Sequence, residues 1–333
     1  MTTPASPNRP SAAAPKVRAA ALSVVSNSAL ILLKVIAASV TGSVAILTEA
    51  VHSSIDLVAS AVAFVSVRKA DEPADESHRY GHEKIENLAA AIEAILILVG
   101  SAVIAFEAIR RLLVHRHLQS VSFGIGVVAF SMLANVVVST VIGRNARRTG
   151  SPALEGDAAH LRTDAMTSGA VLIGLLLVKL TGAQWLDSAV ALAVAAVIVS
   201  TGVRLLARSS QVLVDRSLPR AEEDQIRRVV ESFGPRGIVG YHALRTRRAG
   251  TRRYVDLHVQ FRAGTSLEQA HRTAHELQEE IAARLTGSDV LIHLEPEDRV
   301  RPGEEIESAL ARDSAASGEH PRDRAGSPDL NSG

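Results

Sequence analysis

The 333-residue chain contains no cysteine. That excludes disulfides and thiolate metal sites and leaves the redox compartment unreadable from this residue type, so any bound metal must rest on His, Asp, Glu or carbonyl oxygen. Aromatic residues are also scarce, at 3%, which leaves few platforms for stacking on bases. The formal net charge is only +1, whereas phosphate-binding surfaces are strongly basic, so no nucleic-acid partner is expected. What is plentiful is apolar residues, at 47% beside 21% charged. The chain is too apolar for an ordinary soluble protein and too charged to lie wholly in lipid, and a membrane domain joined to a soluble domain satisfies both facts.

Apolar stretches of about 20 residues can cross a bilayer, and six occur, at roughly 19–41, 43–67, 86–113, 121–143, 155–180 and 185–207. Residues 1–17 are rich in Pro, Ala and Ser, and the first stretch runs past Gly42 without a small-residue cleavage site; it reads as a retained span, not a signal peptide. An N-terminus on the cytoplasmic side places Lys16, Arg18, Arg68, Lys69, Arg79, Lys84, Arg144, Arg147, Arg148 and Arg208 inside, against Arg110, Arg111 and Arg116 outside, in the sense of the positive-inside bias. Six spans then return the C-terminus to the cytoplasm. The expected division is a disordered tail over 1–17, a six-helix membrane domain over 18–208, a cytoplasmic domain over 209–297 and a disordered tail over 298–333.

Within the soluble part, Pro219 precedes a helix-like stretch at 220–232, followed by strands near 238–247 and 252–262, a helix at 266–285 and a strand at 289–295. Val255, Leu257, Val259 and Phe261 alternate with Tyr254, Asp256, His258 and Gln260, the period of a sheet with one buried face. The fold class is therefore membrane α-helical with a C-terminal α+β domain of αββαβ order.

Two octapeptides carry the chemistry. Glu49-Ala50-Val51-His52-Ser53-Ser54-Ile55-Asp56 and Asp157-Ala158-Ala159-His160-Leu161-Arg162-Thr163-Asp164 share one pattern, and each lies inside an apolar stretch. Residues four apart share a helix face, so each copy offers an imidazole and a carboxylate pointing the same way. Ionisable groups inside a bilayer cost roughly 2.5–3.5 kcal/mol on insertion scales and mark ion paths. Two facing copies would cage a tetrahedral divalent ion of zinc type with two His and two Asp, ligand bonds being roughly 2.0–2.2 Å. Glu49 and Asp157 are read either as acceptors that orient the rings or as water-exposed carboxylates of a vestibule. Lys34 either snorkels or pairs with a carboxylate.

Two further groups are weaker signals. Asp75, His78 and His82 are spaced as ligands on a turn leading into a helix, although a polar loop of this size is commonly just solvated. His82-Glu83 and His275-Glu276 lack the second His of a zincin motif, so a protease is not expected. His242, His258, His271, His275 and His293, with Glu295, crowd the soluble segment, either as surface histidines or as one or two metal sites.

With these residues in hand the chain resembles the cation diffusion facilitator family, in its bacterial zinc and iron efflux branch, over about residues 18–297. The resemblance is carried by Gly42-Ser43-Val44-Ala45 leading to His52 and Asp56, by His78-Arg79-Tyr80-Gly81-His82-Glu83-Lys84-Ile85-Glu86, and by His160-Leu161-Arg162-Thr163-Asp164. Val214-Asp215-Arg216-Ser217-Leu218-Pro219, His242-Ala243-Leu244-Arg245-Thr246-Arg247 and Ile292-His293-Leu294-Glu295-Pro296 complete it.

It implies a homodimer in lipid with both termini cytoplasmic, in a bacterial inner membrane, with a metallochaperone-like soluble domain and no enzyme activity. Zn²⁺, transported and also regulatory, would exchange for protons at His52, Asp56, His160 and Asp164. Fe²⁺, Cd²⁺, Co²⁺ or Mn²⁺ export, or a membrane metal sensor without transport, are the other readings. Asp75, His78 and His82 would form a loop site. His242, His258, His271, His293 and Glu295 would form a cytoplasmic site, with Glu295 where relatives commonly have Asp. Lys84 and Asp215 would form a charge pair at the dimer interface, while His275 has no counterpart.

Overall fold

Six long helices come first: α1 (Ala13–Thr41), α2 (Val44–Ala70), α3 (Lys84–Val114), α4 (Gly124–Thr149), α5 (Pro152–Thr181) and α6 (Trp185–Leu213). A smaller αββαβ arrangement follows, made of α7 (Arg220–Ser232), β1 (Ile238–Ala249), β2 (Arg252–Phe261), α8 (Leu267–Arg284) and β3 (Ser288–Pro296), with a two-residue β4 (Glu307–Ser308). This computed structural model describes residues 13–41, 44–114, 124–298 and 307–308. Residues 1–12, Arg116, nearly all of the expected C-terminal tail, and the side chains of Glu49 and His52 lie outside the described residues. The chain divides into two units, one of Met1–Arg216 with Arg247–Arg252 and one of Ser217–Thr246 with Arg253–Gly333.

Five helices, α1 and α3 to α6, are long and apolar enough to cross a membrane among the residues described. Their outward faces stay apolar: Leu32, Phe106 and Leu180 are each more than half exposed, as expected where lipid, not water, is the solvent. The buried faces are made largely of small side chains, including Ala19, Ala59, Ala63, Ala90, Ala94, Ala153 and Ala158. Without a hydrophobic drive between helices in lipid, close backbone approach supplies the attraction. Gly156 marks one such close approach near the buried polar groups, since a Cβ there would lie 3.1 Å from the Cβ of Glu93 and 3.2 Å from the Cα of Ala90 on α3.

Local signals set the ends of α5. Ser151 caps it by accepting from the Leu154 N–H, Pro152 occupies the first turn, and Gly182 closes it at φ 75° with its N–H bonded to the Val178 carbonyl. Pro suits the first turn because its missing N–H would be unpaired there anyway, and Gly adopts positive φ without penalty.

The second unit buries one face of its sheet. Val255, Leu257, Val259 and Phe261 pack with Ile226, Val229 and Val230 of α7 and Leu277 and Ile281 of α8. The strand order is β3-β2-β1-β4, and β2 runs parallel to β3 with His258 opposite His293 and Gln260 opposite Glu295. Ser266 caps α8 by accepting from the Gln269 N–H.

Two expectations are corrected. Lys16 is not in a disordered tail: it lies in the first turns of α1, is 4% exposed, and donates to Glu86 Oε1 at 2.9 Å, with Asp71 Oδ1 3.5 Å away. A lysine beside an apolar run orders when a buried carboxylate awaits it. Glu307–Ser308, inside the segment expected to be disordered, instead pair antiparallel with Gly240 and Tyr241, because the open edge of β1 offers unpaired backbone groups.

Glu86 also accepts from the hydroxyl of Ser151, so one carboxylate ties α1, α3 and the cap of α5. Removing one partner of a buried pair strands the other. Glu86→Ala is expected to destabilise the membrane unit by about 3–5 kcal/mol, read as earlier thermal loss of monodisperse protein in detergent. Glu72→Ala, which breaks the exposed pair with Lys69, should cost at most about 1 kcal/mol.

Candidate metal centre

Among the described residues, three groups of His and carboxylate each place their ligand atoms within 4.8 Å of one another: Asp56 with His160 and Asp164, Asp75 with His78 and His82, and His242 with His258 and Glu295.

The first lies between α2 and α5. His160 Nε2 is 3.3 Å from Asp56 Oδ1 and 3.9 Å from Asp164 Oδ2. Asp56 and His160 are both buried. His52 stands one turn before Asp56 on α2, its side chain outside the described residues. A cavity of about 30 Å³ adjoins the trio, lined by Asn27, Lys34, Ser53, Asp56, Ser131, Asn135, Asp164, Thr167 and Ser168. That is room for one or two waters. Its lining residues lie from the middle of α1 toward its C-terminus, in the N-terminal halves of α2 and α4 and in the middle of α5. Lys34 is buried and its ammonium donates to Ser53 Oγ at 2.6 Å; it does not snorkel.

Asp157 is not a vestibule group. It is 0% exposed, and its Oδ1 accepts from Ser23 Oγ at 2.9 Å and Ser60 Oγ at 3.2 Å, while Asn27 donates to Ser60 at 2.6 Å. This polar layer crosses α1, α2 and α5 one turn from the trio. The carboxylate beside the His160 ring is instead Glu93 of α3, fully buried, with Oε2 3.8 Å from Nδ1. The sequence held a signal for it: Glu93 is a single carboxylate in the run Leu88-Ala89-Ala90-Ala91-Ile92-Glu93-Ala94-Ile95-Leu96, where an unassigned charge is costly.

The second group is a preorganised turn. Asp75 Oδ1 accepts from the Ser77 N–H at 2.9 Å and the His78 N–H at 2.6 Å, while His82 Nε2 lies 3.3 Å from the other carboxylate oxygen. The His78 backbone bond, then the Ser77 hydroxyl, hold the Asp75 carboxyl at about 2, below its usual 3.8.

The third group spans the sheet of the second unit. Glu295 stands centrally, with Oε2 2.8 Å from His242 Nε2 and Oε1 3.0 Å from His258 Nδ1 and 3.5 Å from His293 Nε2. Burial pushes its carboxyl up, but the bonds to His242 and His258 outweigh this and hold it below the usual range. The β2–β3 register brings His258 and His293 side by side, with ring centroids 4.7 Å apart. His271 is not brought to this cluster: it lies exposed on α8, its ring 4.5 Å from that of His275.

Lys84 Nζ donates to Asp215 Oδ1 at 2.8 Å, joining the start of α3 to the residues after α6 within one chain. That bond, with a second from Arg247, keeps the Asp215 carboxyl below its ordinary range. Asp215 adopts φ 58°, a left-handed conformation uncommon outside glycine.

Comparison with known proteins joins these pieces. Residues 20–214 match the cation efflux transmembrane domain, and residues 218–297 the cation efflux protein cytoplasmic domain. The chain belongs to the cation diffusion facilitator family. Relatives include the cation-efflux pump FieF of a Salmonella strain, 36% identical over 84% of this chain and 92% of the relative, and FieF of Yersinia pestis, 37% identical over 84% and 93%. An uncharacterized transporter of Synechocystis is 35% identical over 83% and 89%. Among solved structures, the zinc form of CzrB is 37% identical, covering 26% of this chain and 99% of that one with a TM-score of 0.24. As a member of this family the chain is an integral membrane protein for divalent metal efflux, and its cytoplasmic domain is of the dimer-forming type.

A depressed carboxyl contributes stability that is present above its unfolded value and lost only as pH falls through the folded one. For Asp75 that window lies between about 3.8 and about 2. Asp75→Asn should therefore remove the part of the acid-induced loss of stability that falls between about pH 3.8 and about 2, measured by thermal unfolding in detergent across that range against the unsubstituted protein.

Proposed function

We propose that this transporter exports Zn²⁺ from the cytoplasm in exchange for protons, through a site of His52, Asp56, His160 and Asp164. The observation that carries this is the convergence of Asp56, His160 and Asp164 from α2 and α5, with ligand atoms within 4.8 Å. Two imidazoles and two carboxylates suit a tetrahedral ion of zinc type better than Mn²⁺, which favours all-oxygen sites. The same donors explain the coupling. Metal binds neutral imidazole and ionised carboxylate, so protons and metal compete for one set of atoms. The ion loads from the cytoplasm, the helices rearrange around the fixed site, and protons release it on the far side.

Both termini lie in the cytoplasm, as the distribution of Lys and Arg supports, and the membrane is the bacterial inner membrane, as for the bacterial cation-efflux pumps it resembles. Asp75, His78 and His82 hold a metal at the loop. His242, His258, His293 and Glu295 hold metal in the soluble domain, and metal there favours the dimer competent for transport. His271, remote from that cluster within one chain, completes the soluble site in the dimer. The Lys84 and Asp215 pair steadies the junction of α3 and α6 at the dimer interface.

In proteoliposomes, His160→Ala and Asp56→Ala should reduce zinc-driven proton flux by at least about 100-fold. That loss corresponds to roughly 2.7 kcal/mol on the barrier of the limiting transport step. Wild-type flux in both variants would rule the site out, and metal binding without any flux in the unsubstituted protein would make it a sensor.

A further inference from the structure

His160 can offer only one ring nitrogen to a metal, and the other must then carry the proton. Its Nε2 faces Asp56 and Asp164, so with a metal bound on that side the proton sits on Nδ1. That nitrogen is buried and has no hydrogen-bond partner among the described residues. Neither oxygen of Glu93 has one either, although the side chain is 0% exposed. The two orphaned groups face each other, Oε2 to Nδ1, at 3.8 Å.

Among the described residues Glu93 is the carboxylate that reaches the Nδ1 side of the ring. Asp157 Oδ1 is taken by Ser23 and Ser60 and its Oδ2, also without a hydrogen-bond partner, makes no ion pair with the ring, while Asp56 and Asp164 lie on the Nε2 side. The helix contact is built to admit Glu93, because a side chain at Gly156 of α5 would press on the Glu93 Cβ and Cγ, 3.1 and 3.2 Å from the new atom. A carboxylate left alone in a membrane interior is expensive, so its place beside an equally unpartnered ring nitrogen points to a role in the site.

We propose that Glu93 is a positioning residue of the transport site: its carboxylate receives the Nδ1–H of His160 and so holds the ring with Nε2 toward the metal. Such outer acceptors fix the tautomer and ring orientation of metal-bound histidines. This rests on the transport-site assignment above and extends that site to a third helix, α3. Glu93 does not itself touch the ion.

The test compares Glu93→Gln with Glu93→Leu in the full-length protein. Zn²⁺ flux is measured in proteoliposomes, and Co²⁺ absorption in detergent is taken as the difference from His160→Ala. Glu93→Leu should raise the KM for Zn²⁺ by about 10- to 100-fold and weaken or shift the Co²⁺ band. Glu93→Gln, whose amide oxygen still accepts, should recover most of both.

Wild-type KM and spectrum in Glu93→Leu overturn the proposal, as does a Gln variant as impaired as the Leu one. If Glu93→Leu does not give monodisperse protein, Glu93→Ala replaces it in the same comparison. His160→Ala with undiminished flux would sink the transport-site assignment instead, whereas flux that needs His160 and ignores Glu93 sinks only the positioning role.

Discussion

The membrane unit depends on the contact between His160 of α5 and Asp56 of α2, at 3.3 Å. Each group alone would be costly in an apolar interior, and the contact gives each a polar partner. The rest of the bundle is arranged around that contact. Alanine-lined faces let the backbones approach, the Ser23, Ser60 and Asp157 layer closes one side, and a small polar cavity adjoins the other.

Keeping polar groups satisfied without water also shapes the end of the bundle. Lys16, Glu86 and Ser151 draw α1, α3 and α5 together through one carboxylate. The soluble domain solves a different problem. Its core is an ordinary packed sheet and helix layer, and its polar cluster lies on strand positions whose opposite face is buried, which leaves His242, His258 and His293 free to meet at Glu295.

Much of the architecture was legible because its signals are local or periodic. Long apolar runs gave the helices, the alternation at 254–261 gave β2, and Pro219 and Ser266 marked helix starts. The spacing of His160 and Asp164 gave one face of the buried trio. What stayed hidden involves partners distant in sequence. Nothing near Lys16 announces Glu86, 70 residues away, and a two-residue strand at 307–308 has too little sequence to show a period. Glu93, which the sequence reading passed over, stands beside the His160 ring in place of Asp157 because sequence spacing ranks neighbours on one helix, whereas the ring reaches a neighbouring helix. His271 was grouped with the strand histidines by the family resemblance, yet within one chain α8 turns it toward His275. Glu295, despite a longer side chain than Asp, reaches three imidazoles from the centre of the cluster, and its extra methylene suits that span.

The alanine-rich interior has a mechanical consequence. Large interdigitating side chains lock helices like gear teeth, so that shifting one past another means climbing over each tooth. Faces of Ala and Gly are smooth by comparison and resist sliding little. The positions at which such a bundle comes to rest are then chosen by its few buried polar contacts, each acting as a detent. In a bundle of this kind, moving from one resting position to another means exchanging one set of hydrogen bonds for another.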